Sequence, residues 1–305
     1  MRAIRATVGL ILFSAALPAS VADEVRALAA QQQFQAAESR VDREFKAHGT
    51  SPDLVLAESW LARGYLASRR YEDASRMAQR TDNECRAQLK TRAMDAEPRL
   101  PLALGAALEA AAQAMTARGE RDQAVRLLQA EVTRYRDTSI RTRLQKNLNL
   151  LTLEGKPAPA LDGSHFLGPR KPLALAALRG HPVLLFFWAH WCSDCKSEIA
   201  SVAKLAAVYG PRGLVVVGPT QHYGYVAGGM DAPEAEETQY IEQVRQRYYA
   251  GIAGMTAPLN EENLRVYGVS TTPTLVLIDK LGVVRLYHPG VLSYEDLAAR
   301  LQPLL

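Results

Sequence analysis

Cysteine is scarce in this chain: 305 residues hold only three. A small exported scaffold stapled by disulfides uses many more, so that class is excluded, and each cysteine must be explained by chemistry or by packing. Charge of one sign is missing too. Lysine and arginine number 36 against 32 acidic residues, a formal net charge of +4, and Arg2 and Arg5 at the N-terminus supply part of that small excess. Such a balance gives no footprint for nucleic acid and no strong attraction to a membrane surface. Long apolar runs are lacking beyond the first segment, so no transmembrane helix is expected after it. The hydrophobic fraction of 48% excludes a disordered or fibrous chain, and the length suits roughly two domains.

The first segment is present for a different reason. Arg2 and Arg5 precede an apolar run from Ala6 to Leu17, and Pro18-Ala19-Ser20-Val21-Ala22 places small residues where a signal peptidase reads. A bilayer span needs roughly 20 apolar residues, and this run falls short. Residues 1–22 are therefore expected to be a cleaved signal peptide, and the mature protein to be periplasmic or otherwise extracytoplasmic with no stable membrane span. No cysteine follows the run, so lipid attachment is not expected.

Residues 23–152 are alanine-rich and glycine-poor, with helical periodicity and no strand signal. Gly49, Pro52, Pro98, Pro101 and Gly119 punctuate helices expected at 24–47, 52–68, 70–92, 100–118, 120–136 and 139–152. Three places share a pattern: Gln32-x-Phe34-x-x-Ala37, Arg69-x-Tyr71-x-x-Ala74 and Gly119-x-Arg121-x-x-Ala124. They resemble the inter-helix turn of tetratricopeptide repeats, at irregular spacing. The segment is an all-helical domain, either a degenerate repeat array of that kind or a plain bundle using the same small-residue packing. Cys85 lies within it, and its two readings are a buried packing residue and a redox or dimer contact.

At Leu153-Glu154-Gly155-Lys156-Pro157 prolines and glycines replace alanine, which sets a domain boundary and leaves 153–305 as a second domain. Its centre is the apolar run Val183 to Trp191, ending in Cys192-Ser193-Asp194-Cys195. Beyond it, Cys195, Ile199, Val202, Leu205, Ala206 and Tyr209 recur at three and four, the period of a helix with one buried face. A buried strand thus delivers two cysteines to a helix N-terminus, where the dipole favours a thiolate. That is the chemistry of thiol-disulfide exchange. A second strand is expected at 213–218, a loop at 219–233, a helix at 234–249, a hairpin of 274–279 with 283–288, and a helix at 293–301 capped by Ser293. This order makes a mixed sheet flanked by helices.

These residues carry a family resemblance. The stretch from about 154 to 305 resembles the TlpA/ResA-like branch of the thioredoxin superfamily, extracytoplasmic thiol-disulfide oxidoreductases. Its marks are Gly155-Lys156-Pro157-Ala158-Pro159, Phe187-Trp188-Ala189-His190-Trp191-Cys192-Ser193-Asp194-Cys195, and Tyr267-Gly268-Val269-Ser270-Thr271-Thr272-Pro273-Thr274. The fold class so implied is α/β, a thioredoxin-like mixed sheet with flanking helices, preceded by an all-α domain. Three positions depart from the pattern: Ser193-Asp194 replaces the usual Gly-Pro spacer, Phe186 stands where thioredoxins bury an acid, and Ala200 where many relatives have proline.

The resemblance and the residues together assign roles. Cys192 is expected to be the attacking thiolate and the more exposed sulfur, Cys195 the resolving thiol, and the two to form the redox disulfide. Glu198, three residues beyond Cys195 on the apolar stripe, matches the family's acid, and burial there raises a carboxyl into the range of a general acid or base. Thr272 and Pro273 resemble the cis-proline loop that pairs with substrate backbone, and Trp191 lines the docking surface. His190 is read as an accessory surface residue. Asp194 either disfavours the thiolate, arguing for a reducing couple, or merely complements the helix dipole. No cofactor and no metal is called for, since a zinc cage from Cys192, Cys195 and His190 lacks a second cysteine pair. The expected partners are a protein disulfide substrate, a thiol-donating redox protein and a protein docked on the helical domain. The rival reading is a helical-repeat binding or scaffold protein with a secondary redox domain.

Overall fold

The computed structural model describes residues 20–305. The expected leader at 1–22 thus lies outside the described residues except for Ser20, Val21 and Ala22. Ser20 caps the first helix by accepting the N–H of Asp23, and Val21 and Ala22 are buried in it.

The helical half comprises α1 (Val21–Ala30), α2 (Phe34–His48), α3 (Pro52–Ala67), α4 (Tyr71–Gln88), α5 (Arg99–Ala117), α6 (Arg121–Arg134) and α7 (Arg141–Thr152). The single helix expected at 24–47 is therefore two. Gln32 breaks it by taking φ +58°, in the left-handed region, which costs a residue with a Cβ roughly 1–2 kcal/mol. The return is a closed turn: the N–H of Gln33 reaches back to the Leu28 carbonyl at 2.9 Å. The same turn recurs twice. Arg69 (φ +59°) and Gly119 (φ +84°) hold the equivalent position, with Arg70 N–H to Tyr65 O and Glu120 N–H to Met115 O, both again at 2.9 Å. Ala37, Ala74 and Ala124, the last position of each pattern, are fully buried, because the returning helix crosses there on the first. Helices α1, α3, α5 and α7 pack in succession, and the first three have their return helices, α2, α4 and α6, packed on them.

Cys85 sits in the second of two helical cores, fully buried among Val55, Leu100, Leu104 and Leu128, and burial pushes its thiol up to about 12. It is a packing residue. Among the described residues α5 is long and apolar enough to cross a membrane by length and composition, contrary to the expectation of no such stretch. The reason lies in the packing: Leu100, Leu104, Leu108 and six alanines of α5 are buried between α3, α4, α6 and α7.

The second half contains β1 (Phe166–Leu167), β2 (Val183–Phe187), α8 (Ser193–Tyr209), β3 (Val215–Val217), α9 (Glu234–Tyr248), β4 (Ala257–Pro258), α10 (Glu261–Val266), β5 (Thr274–Ile278), β6 (Val284–Pro289) and α11 (Tyr294–Leu301). Four strands form a mixed sheet in the order β3-β2-β5-β6, with β2 parallel to β3 and antiparallel to β5. β1 and β4 make a separate two-stranded ladder. These two and α10 escaped the sequence reading, because two strand residues and six helical ones are too short to show a period.

Both faces of the sheet are covered, as alternation along β2 dictates. Leu184, Phe186 and Trp188 enter one core with α8, α9 and α11. Val183, Leu185 and Phe187 enter the other, with Leu264, Tyr267 and Leu153. Leu153, at the end of the helical half, thus belongs to the core of the second half. Helix α7 continues the joint. Its Asn149 side chain donates to the Val266 carbonyl, Arg141 pairs with Glu262 at 2.9 Å, and its backbone at Lys146 lies against Gly268.

Candidate active site

The site is built where β2 ends. Trp188 is fully buried, its Nε1 donating to the Gly218 carbonyl at 2.8 Å, while Thr220 donates to the Trp188 carbonyl at 2.7 Å. These bonds fix the segment leaving β2 to the segment leaving β3, and so fix the launch point of Ala189 to Cys192. Cys192 is the N-cap of α8, its Sγ accepting the Cys195 N–H at 3.0 Å. The two sulfurs are joined as a disulfide across a Cα–Cα distance of 5.3 Å. Once reduced, a thiolate at Cys192 would lie on the unpaired N–H groups and positive end of α8, the arrangement that lowers a thiol's pKa. In the disulfide Cys192 is nearly as buried as Cys195, at 3% against 0% exposed. The expected difference in access is therefore small, because Cys192 is covered from the facing loop.

That loop is Thr271 to Thr274. The Thr272–Pro273 peptide is cis, and the Thr272 carbonyl lies 3.4 Å from the Cys192 sulfur. Thr274 Oγ1 holds the Thr271 carbonyl, and the Gly290 N–H donates to the Pro273 carbonyl. The Thr272 hydroxyl is buried and has no hydrogen-bond partner among the described residues.

Glu198 projects from α8 one turn beyond Cys195 and on the same buried face, with Val202 after it. Only 4% of it is exposed. Burial pushes its carboxyl up to about 7, against a weak opposing bond from the Leu292 N–H at 3.4 Å. Trp191 lies at the surface, 49% exposed beside Cys192, its ring edge-on to Tyr223 at 5.6 Å.

His190 is not a surface residue. It is 1% exposed and its Nε2 lies 3.2 Å from Glu237 Oε1. Tyr223, Tyr225 and Tyr240 stand edge-on around its ring at 5.2 to 5.4 Å. Desolvation lowers its pKa, against the raising effect of the Glu237 hydrogen bond and charge. Glu237, in the first turn of α9, also accepts the N–H of Tyr223 at 2.6 Å and of Gly224 at 2.9 Å. One carboxylate thereby ties the loop after β3 to the residue two places before Cys192. Sequence reading missed Glu237, yet its signal matched the one that marks Glu198. It opens the stripe Glu237, Ile241, Val244, the buried face of α9. Among the described residues no group of three or more His, Cys, Asp or Glu side chains is placed to hold a metal ion.

Residues 170–304 match the family model of the thioredoxin-like domain. Among curated proteins, the chain is 31% identical over 156 residues to the thiol:disulfide interchange protein DsbE of Xylella fastidiosa, a match spanning 50% of this chain and 70% of that protein. It is 28% identical over 134 residues to the thiol-disulfide oxidoreductase ResA of Geobacillus thermodenitrificans, spanning 43% of this chain and 67% of that one. Among solved structures, a thiol:disulfide interchange protein of the thioredoxin family from Chlorobium tepidum superposes with a TM-score of 0.38 at 21% identity, covering 50% of this chain and 97% of that one. With its Cys192–Cys195 pair seated at the head of α8, the chain belongs to the thioredoxin-like family of thiol-disulfide oxidoreductases.

Proposed function

We propose that this oxidoreductase is exported and reduces protein disulfides through a mixed-disulfide intermediate. The observation that carries the mechanism is the buried acid: Glu198 lies one turn from Cys195 on the same face of α8, with its carboxyl raised to about 7. Reduced Cys192 attacks one sulfur of the substrate disulfide as a thiolate, and the other substrate sulfur leaves as a thiolate that is then protonated. Cys195, a thiol in a low-dielectric pocket, gives its proton to the Glu198 carboxylate and attacks Cys192 Sγ. The second substrate sulfur departs, two electrons have passed to the substrate, and the Cys192–Cys195 disulfide is left to be reduced by a thiol-donating protein. Trp191 and the Thr272 backbone beside Cys192 supply the docking surface for the extended substrate segment.

Reduction is favoured over oxidation by Asp194, whose charge in the first turn of α8 opposes that of a Cys192 thiolate and so destabilises the reduced form. The side chain is exposed, so this bias is modest. Export rests on the leader pattern at 1–22. We read the helical half, 23–152, as a degenerate tetratricopeptide-like array, on the strength of its three identically closed turns, and 153–305 as the redox domain.

The test is turnover of insulin disulfides by the purified protein, by Cys192→Ser and by Cys195→Ser, followed by trapping with Cys195→Ala. Both serine variants should fall to background, and the alanine variant should accumulate a mixed disulfide on Cys192. Undiminished turnover by Cys192→Ser would remove the proposal.

A further inference from the structure

The helical half carries a site of a different kind, on the side formed by α1, α3 and α5. Two guanidinium groups lie over the Trp60 ring of α3, Arg26 of α1 at 4.5 Å from the centroid and Arg63 of α3 at 4.9 Å. Two hollows of about 300 Å³ each flank this stack and share Arg26, Trp60 and Arg63 in their walls. One extends to Leu102 of α5 and Arg143 of α7, the other along Ala29 and Gly64. The two hollows adjoin at these three side chains, and together they make up the groove.

The two other arginines in the wall of the first hollow are paired: Arg143 with Glu109 at 2.9 Å and Arg99 with Asp53 at 3.4 Å. Arg26 and Arg63 make no ion pair among the described residues. Arg63 is half-buried, and its pKa is lowered first by desolvation and next by the charge of Arg143. The indole face holds the guanidinium in place, but a cation partly out of water and beside another cation is unfavourable, and an arriving anion relieves it. Guanidinium offers carboxylate two parallel N–H donors, and tryptophan and arginine are both enriched in binding hot spots.

We propose that this groove binds an extended acidic peptide segment of a partner protein, with carboxylates bracketing Trp60 on Arg26 and Arg63. The site owes nothing to the dithiol, so it stands or falls apart from the reductase reading. The charged lining of the first hollow is four arginines, Arg26, Arg63, Arg99 and Arg143, against two carboxylates, Asp53 paired with Arg99 and Asp23 bonded by Ser20, so cationic charge is in excess there. The small or apolar side chains between them, Leu56, Leu102, Ala29, Gly64 and Ala67, suit a chain whose acidic residues are interspersed with apolar ones.

A labelled dodecapeptide alternating glutamate with leucine, followed by fluorescence anisotropy on the full protein, tests it. Binding should weaken at least about tenfold in Arg26→Glu and in Arg63→Glu, as charge reversal at a contact does. It should also vanish for the same peptide with glutamine in place of glutamate. Arg92→Glu and Arg136→Glu, charge reversals elsewhere on the helical half, should leave it within about twofold. Arg26→Gln and Trp60→Phe provide milder changes in which the helical signal and the melting temperature stay as in the parent, and each should weaken binding measurably. Turnover of a small disulfide should be unchanged in all of them. Equal loss in the distant reversals, equal binding of the glutamine peptide, or tighter binding of an oligonucleotide or of anionic vesicles through the same arginines would overturn the proposal.

Discussion

Burial of Glu198 bears on stability and, in the proposed mechanism, on the chemistry of Cys195. Its carboxyl is raised from 4.5 in the unfolded reference to about 7 in the folded protein. Between those values the folded state holds a proton that the unfolded state has released, so stability falls as pH rises through that window. Glu198→Gln removes the dependence. The oxidised variant should match the parent near pH 4 and exceed it by up to roughly 3 kcal/mol at pH 8. Urea unfolding across that range measures it, and parallel curves at all pH values would show the carboxyl to be ionised in the fold. The same variant should resolve the mixed disulfide roughly tenfold or more slowly near neutral pH, since it has no base for Cys195. Glu198 was readable from sequence because its surroundings are local: Cys195 and Val202 on the same helix announce a buried face. His190 was not, because the groups that bury it, Tyr223, Tyr225, Tyr240 and Glu237, come from a loop and a helix 30 to 50 residues further along.

Among the elements, α7 does the most with the least sequence signal. Gly268 ends the turn after α10 at φ +65°, and a Cβ there would lie 2.6 Å from Lys146 Cα and closer still to its backbone nitrogen. The neighbour is helix backbone and cannot swing aside. Gly268→Ala should therefore destabilise the protein by roughly 2 to 5 kcal/mol, combining left-handed strain with overpacking. Chemical denaturation checks the value, and a loss below about 1 kcal/mol would mean that α7 is not seated there. Helix α7 itself was legible, as a period of apolar residues, and its docking was not. What holds it is one glycine, the Asn149 bond to a carbonyl and the Arg141–Glu262 pair, none of which has a periodic signature. The break at Gln32 was hidden for a related reason. Glutamine is an ordinary helix former, and only the repeated pattern with Phe34 and Ala37 betrays that it turns the chain.

At the scale of the molecule the two halves meet through α7 and Leu153, so their separability can be measured instead of assumed. A fragment of residues 153–305 retains the sheet, both cores packed on it, and Leu153 itself, and should fold alone. It loses the bond from Asn149 and the pair with Glu262, and should be less stable than the same half in the full chain, by roughly 1 to 2 kcal/mol. Gly268→Ala discriminates further. In the fragment no α7 backbone faces the new methyl group, so only the strain of the positive φ remains, and the cost should drop to roughly 1 to 2 kcal/mol. The difference between the penalty in the full chain and in the fragment is then the steric coupling between the helical and redox halves. Should the penalty be the same in both, the joint at α7 would have no energetic content, and anything bound on the helical half could not reach the Thr272–Pro273 loop through it. Should it differ as expected, the turn that leads into that loop is braced by the helical half, and α7, which lines the arginine groove through Arg143 and meets Gly268 through Lys146, is the element that both sites share.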